Sequence, residues 1–447
     1  MKTIGKYEVR GLLGKGGMGV VYKVREPVLG RLYALKLLSP HEFLESLLGT
    51  DRLRELFLRE AVLMAGLRHP HVLDVLDYSE ADGRPYILMD YYCHNLGEMI
   101  GETYEPDRPS RKLPVDRAVD HARQVLSGLA RLHAAGIIHR DVKPCNVLVT
   151  DENQARLTDF GLSAMHGETF VGPENLKVGS PYYAAPEQEQ DPNRAKGTAD
   201  LYSAGVMLYR MLTGVLPESG APSASEANPD LSAEWDDFLE TAMAPAPGNR
   251  FQSAADMDAE LARLYARWRD RRDSMCLLSR GDTAALLPPA SLPLRSDPVR
   301  IHPKNAREFF GMDDLWRPET YVENAFEPRP DGTVYDAATG LLWQAAGTPY
   351  TVNLEEARKA VATLCREQFA GRDDWRLPTV DELVTIMTPP PQGGDWCIEP
   401  VFSRGQRWLW SADRASFVTS WFANVELGYL SRQDHTAFLH VRAVASA

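Results

Sequence analysis

The chain has 447 residues, too many for one ordinary core, and fits two to three domains. Its 44% hydrophobic and 25% charged residues are those of a soluble globular protein, while a net charge of −13 argues against a general nucleic-acid binder or a protein of anionic membrane surfaces. Cys93, Cys145, Cys276, Cys365 and Cys397 are scattered with no CxxC pair and no metal-like spacing to histidine, which fits reduced thiols in the cytoplasm.

At the N-terminus no apolar run follows the lysines, so no signal peptide is expected, and no later stretch offers the roughly 18–20 uninterrupted apolar residues of a bilayer span. Residues Tyr7 to Lys36 read as strands with a tight glycine turn, the alternation running through Tyr22 and Val24 and then Leu32, Ala34 and Lys36. From Asp51 to Leu67 the spacing of Leu53, Leu56, Glu60, Leu63 and Leu67 predicts a helix, and Tyr86 to Met89 a short buried strand. Pro114 to His133 carries Ala118, Ala122, Val125, Leu126, Leu129 and Leu132 along one face of a long amphipathic helix. Strands followed by helices predict a small β-rich lobe and a larger helical lobe, closed by a helix over Asp256 to Arg272. Its terminal Arg267, Arg269, Arg271 and Arg272 suit the negative end of a helix dipole. Periodicity is then lost and Pro288, Pro289, Pro293, Pro298 and Pro303 appear, which predicts a semi-extended linker over 274–317 between domains at 1–273 and 318–447.

Beyond the linker, Thr333–Asp336 and Leu341–Gln344 read as strands joined by a glycine turn, and Leu354 to Phe369 as an amphipathic helix. Thr379 with Glu382 forms a capping box that starts a second helix. The last region alternates as hairpin strands do, through Phe417, Thr419 and Trp421, then Phe422, Asn424 and Glu426, then Phe438, His440 and Arg442. Trp343, Trp375, Trp408, Trp410 and Trp421 are expected in the core.

Three stretches in one order carry chemistry: Gly14-Lys15-Gly16-Gly17-Met18-Gly19-Val20-Val21, then His139-Arg140-Asp141-Val142-Lys143-Pro144-Cys145-Asn146, then Asp159-Phe160-Gly161, with Lys36 between the first two. Glycines let a β-turn lie close over a ligand where a Cβ would intrude, and charged side chains between apolar strand remnants need a ligand or metal to neutralise them. Together they resemble the eukaryotic-type (Hanks) Ser/Thr protein kinases found in bacteria. The resemblance implies a bilobal α+β kinase fold that transfers the γ-phosphate of ATP, with Mg2+ and Mn2+ as a substitute, to Ser/Thr hydroxyls of protein substrates. In that family Gly14, Gly16 and Gly19 cover the phosphates, Lys36 pairs with the α/β-phosphates, and Glu60 holds Lys36, with Glu55 one helical turn away as the rival. Val21, Ala34, Met89, Asp90 and Tyr92 fall where the nucleotide pocket is expected. Asp141 matches the catalytic base, Asn146 and Asp159 the metal ligands, and Lys143 the mark of Ser/Thr specificity.

The same resemblance gives Ala185-Pro186-Glu187, Arg250 and Asp200 scaffold roles: Arg250 pairs with Glu187, and Asp200 braces the catalytic-loop backbone. Arg140 implies an answering phosphate on the activation loop, for which Thr169 is the candidate, although that loop has fewer threonines than is usual. A pseudokinase scaffold acting through its C-terminal part, and a small-molecule phosphotransferase, are the alternatives. Lys143 and the Ala185–Glu187 segment weigh against the second.

Asp331-Gly332-Thr333-Val334, Asp336 to Trp343, Asp374-Trp375-Arg376-Leu377-Pro378-Thr379 and Trp408-Leu409-Trp410-Ser411 resemble the Lcl C-terminal domain family, which implies a C-type-lectin-like α+β module. With no Glu-Pro-Asn or Gln-Pro-Asp triplet, no calcium site is expected, nor does the setting of Cys365 and Cys397 support a redox or copper pair. The expected role is recognition of a ligand or protein, with the kinase part held in check, activated or simply tethered to its substrate.

Overall fold

A computed structural model describes residues 2–16, 18–102, 108–159, 164–165, 182–276, 294–390 and 396–446. The chain divides into two units, Met1–Arg271 and Arg272–Ala447.

The first unit opens with a six-stranded antiparallel sheet in the order β1 (Thr3–Ile4), β2 (Tyr7–Lys15), β3 (Gly19–Arg25), β4 (Leu32–Leu38), β6 (Arg84–Asp90), β5 (Val75–Ala81). Side chains alternate across a strand, so β4 sends Leu35 and Leu37 to a core with Ile4, Tyr7, Val24, Tyr86 and Leu88, and turns Ala34 and Lys36 to the other face. Register puts Met89 opposite Ala34 and Ile87 opposite Lys36, so these two share that second face. Between β4 and β5 lie α1 (Glu42–Leu48) and α2 (Thr50–Ala65). Gly49, at φ 75°, separates them, and α2 buries Leu53, Phe57, Glu60, Ala61 and Met64 at helical spacing.

The rest of the unit is helical: α3 (Leu96–Ile100), α4 (Val115–Ala134), α5 (Pro186–Gln190), α6 (Gly197–Thr213), α7 (Ala224–Ala227), α8 (Ala233–Ala242) and α9 (Ala254–Cys276). The short strands β7 (His94–Asn95), β8 (Ile137–Ile138), β9 (Val147–Val149), β10 (Ala155–Leu157) and β11 (Ala164–Met165) frame the His139–Asn146 segment. Gly136, at φ 74°, ends α4 so that β8 can turn back along it. A 17-residue α6 is buried almost all round, which lets Asp200 near its start reach the loop after β8.

The second unit contains α10 (Pro303–Phe309), a four-stranded antiparallel sheet β12 (Phe326–Pro328), β13 (Thr333–Asp336), β14 (Leu341–Gln344), β18 (Val444–Ser446), the helices α11 (Leu354–Arg366) and α12 (Val380–Thr385), and a three-stranded sheet β15 (Trp408–Arg414), β16 (Thr419–Asn424), β17 (Tyr429–Asp434). Both α11 and α12 start with capping boxes, Asn353 with Glu356 and Thr379 with Glu382. All five tryptophans expected inside are at most 3% exposed.

Three expectations differ from the structure. The helix expected to end at Arg272 continues to Cys276, so Arg267–Arg272 precede its last turn, which carries no basic residue. Residues 294–317 are woven into the second unit rather than running as linker: Arg295 reaches Asp381 and Asp413, the amide of Ile301 donates to the Arg414 carbonyl, and Pro303 begins α10. Prolines mark extended backbone and helix starts as readily as linkers, so composition reads the same in either case. Near the end, β16 is one continuous strand whose partner β17 lies outside the expected strands, and Phe438–Arg442 forms no strand but isolated bridges through Leu439 and His440, with Arg442 bonded to Gln344, Ser403 and Gln406. Trp421 and Phe422 point to opposite faces yet are both buried, so the sheet is covered on both sides and period-two alternation loses its meaning.

Candidate active site

Lys36 is held on β4 between Val21 of β3 and Ile87 of β6, on the sheet face away from the small core. Its ammonium donates to Glu60 Oε1 at 2.7 Å and to Asp159 Oδ1 at 3.1 Å. Burial works against the charged lysine, but the two carboxylates outweigh it and raise the Lys36 pKa above its ordinary value. The Lys36 charge in turn lowers the Asp159 pKa against a smaller burial effect, with Lys143 adding in the same direction. Asp159 is about half exposed, whereas Glu60 is buried, so Glu60 is the structural partner and Asp159 the one open to a ligand. Glu55, the rival, is exposed and bonds Arg52.

Asp141, Lys143 and Asn146 meet after β8. Lys143 Nζ donates to Asp141 Oδ2 at 2.9 Å, and Asn146 Nδ2 donates to both the carbonyl and Oδ2 of Asp141, each at 2.9 Å. Beneath them Asp200 accepts from the amides of His139 and Arg140 at 2.9 and 2.8 Å and from His133 Nε2 at 2.8 Å. Burial alone would raise the Asp200 pKa, but the hydrogen bond and charge of His133, with His139, bring it below the usual value. His139 Nε2 donates to the Thr158 carbonyl at 3.1 Å, joining this loop to the residue before Asp159. Arg140 and Asp159 both take the left-handed conformation, at φ 67° and 69°, which non-glycine residues adopt at a cost met by such surrounding bonds.

At the other edge, the Gly16 amide donates to the Gly19 carbonyl at 2.9 Å, closing the turn between β2 and β3. A Cβ on Gly19 would come within 2.5 Å of the Leu37 carbonyl, whereas one on Gly14 meets nothing within 4 Å. Gly19 thus serves close strand packing and Gly14 borders open space. Ala34 and Met89 are buried on the Lys36 face, the Asp90 carboxylate accepts from Arg31 at 2.8 Å, and Tyr92 carries the Arg156 guanidinium 5.5 Å from its ring centre. Arg250 clamps Glu187 with two bonds of 2.8 and 2.7 Å.

Thr169, Gly17, Phe160 and Gly161 lie outside the described residues. Two contributors were not singled out from the sequence: Gln188, whose side chain donates to the Arg140 carbonyl at 2.7 Å, and Tyr183, whose hydroxyl donates to Glu102 at 2.5 Å. Only their closeness to Ala185-Pro186-Glu187 could have pointed to them.

A model of the protein kinase domain matches residues 7–261, and one of the Lcl C-terminal domain matches residues 332–445. The chain is similar to serine/threonine-protein kinase pkn3 of Myxococcus xanthus, at 33% identity over 64% of this chain and 55% of that protein. It is also similar to PknE of Mycobacterium tuberculosis, at 33% over 65% of this chain and 51% of the relative, and to PrkC of Bacillus subtilis, at 29% over 58% and 41%. The chain therefore spans about half, or less, of the length of these curated relatives. A crystal structure of the Mycobacterium tuberculosis PknI kinase domain matches at 30% identity and a TM-score of 0.45, covering 59% of this chain and 97% of that one.

Proposed function

The chain belongs to the protein kinase domain family, and from that premise we propose that it is a serine/threonine protein kinase that moves the γ-phosphoryl group of Mg2+·ATP to protein hydroxyls. The observation that carries the reading is the meeting of Lys36, Glu60 and Asp159. Phosphoryl transfer asks a protein for positioning and charge neutralisation more than covalent work, and a buried ammonium with one buried and one accessible carboxylate suits that task. The residues present fit a metal nucleotide: there is open space over Gly14, and the Asp159 carboxylate remains half exposed. Asp159 and Asn146 would hold Mg2+, or Mn2+ in its place, which supplies neutralisation of phosphate charge when bound. Lys36 binds the α/β-phosphates with Glu60 fixing its ammonium, while Gly14, Gly16, Gly19, Val21, Ala34, Met89, Asp90 and Tyr92 form the nucleotide pocket. Asp141 takes the proton of the attacking hydroxyl at its carboxylate, and Lys143 offsets the moving charge.

Residues 1–273 carry this activity, in the cytoplasm. The C-terminal module, C-type-lectin-like by resemblance, recognises a ligand or substrate. Phosphate on Thr169 would be answered by Arg140, a buried residue whose Nε has no hydrogen-bond partner among the described residues.

The test is transfer of label from γ-labelled ATP in Mg2+, comparing the wild type with Asp141→Asn and Asp159→Ala. Incorporation by the wild type alone is expected. Equal label in all three would overturn the reading and leave a scaffold that binds through its C-terminal module.

A further inference from the structure

Within the second unit lies a cleft of about 640 Å³, inside the range of about 300–1,000 Å³ typical of small-molecule sites. Its floor is apolar, made by Val361 of α11 with Trp375, Leu377 and Ala412. Val361 and Trp375 are buried, and the Cys365 thiol donates to the Trp375 carbonyl at 3.1 Å, tying the helix to the floor.

The charges around this floor sort into two kinds. Arg376 is neutralised in place, its guanidinium forked onto buried Glu382 at 2.6 and 2.5 Å. Arg358 of α11 and the Asp297 carboxylate also line the cleft, yet neither side chain has a hydrogen bond or ion pair among the described residues. They do not pair with each other either. Both stand on fixed backbone: Arg358 lies within a capped helix, and the Asp297 carbonyl accepts from Arg295, which Asp381 and Asp413 hold, while the neighbouring Val299 amide donates to Asp413 at 2.7 Å. An exposed cation and an exposed anion beside a shared apolar floor, each without a partner among the described residues, are complementary to a molecule with opposite charges at its two ends and an apolar body.

We propose that this cleft binds a small zwitterion of the amino-acid class, an apolar amino acid or dipeptide, with Arg358 taking the carboxylate and Asp297 the ammonium. The proposal rests on reading the C-terminal module as a recognition unit, and it supplies that unit with a ligand class.

Titration calorimetry on the full chain with leucyl-leucine, leucine, N-acetyl-leucine and leucinamide tests it. Saturable binding of leucine or leucyl-leucine is expected, weakened at least about tenfold in Arg358→Met and in Asp297→Asn, and likewise when either end of the ligand is capped. Both substitutions lie at exposed positions, and unchanged thermal unfolding verifies that the variants are folded. No binding up to about 10 mM, equal binding of the capped compounds, or full binding by both variants would overturn the assignment. Autophosphorylation measured with and without leucyl-leucine separates the two levels. Binding without a change in activity keeps the site but removes a signalling role, whereas a response that survives in the double variant keeps the recognition reading and sinks this site.

Discussion

At the scale of single residues, the Lys36 ammonium is shared by two carboxylates of different character, and they should fail differently. Glu60→Gln leaves Asp159 as the ionic partner, drawing Lys36 toward the group proposed to hold metal. Steady-state kinetics should show kcat/KM for ATP lower by about 10²-fold, the order seen when one electrostatic stabiliser is lost, with circular dichroism unchanged. Asp159 makes a pH prediction whose sign follows from its lowered pKa. A depressed carboxyl pKa gives stability that is present above the ordinary aspartate value of about 3.9 and is lost as pH falls through the lower folded value. The difference in urea midpoint between wild type and Asp159→Asn should therefore stay constant from about pH 7 to pH 5 and narrow only below about pH 4. These residues were legible because motif order identifies them. Gln188 and Tyr183 were not, because a hydrogen bond from a side chain to a distant carbonyl or carboxylate leaves no spacing in the sequence.

Elements explain why one glycine motif contains positions with unlike duties. Gly19 starts β3 against the Leu37 carbonyl, and a methyl group there would meet backbone that cannot step aside without breaking the β3–β4 register. Gly14 ends its contacts in open space. Gly19→Ala should accordingly lower the melting temperature of the first unit, whereas Gly14→Ala should leave it unchanged and weaken binding of Mg2+·ATP. Differential scanning fluorimetry with and without nucleotide reads both, and an equal loss of stability in the two variants would contradict the division of roles. Long helices with one apolar face, such as α4, were readable for the same reason that they are stable: burial of one stripe imposes the period. Strand β17 escaped because its burial changes along its length, from Tyr429 and Leu430 inside to Arg432 exposed, so no alternation marks it.

Across the whole molecule, where the second unit begins is a question about one buried charge. Asp413 is fully buried and accepts from both terminal nitrogens of Arg295 and from the amides of Val299 and Val380. Arg295 stands well outside residues 332–445, the span matched by the Lcl C-terminal domain model. No local pattern reveals such a pairing, since its members are 118 positions apart and a proline-rich neighbourhood disguises the first. Removing the guanidinium leaves a carboxylate inside the unit with only backbone donors, a loss of about 2–4 kcal/mol for a buried pair broken on one side, reduced here because Arg295 is itself partly exposed. Tryptophan fluorescence can follow this unit in the intact chain, because of nine tryptophans only Trp235 and Trp268 belong to the first. Arg295→Ala should move the urea transition seen by tryptophan to lower concentration, while the phosphotransfer activity proposed for the first unit keeps its own midpoint. Lys304→Ala, an exposed change in the same segment, serves as the control and should move neither transition. If Arg295→Ala unfolds no earlier than that control, the segment from 294 onward is an accessory strap and the unit is complete without it.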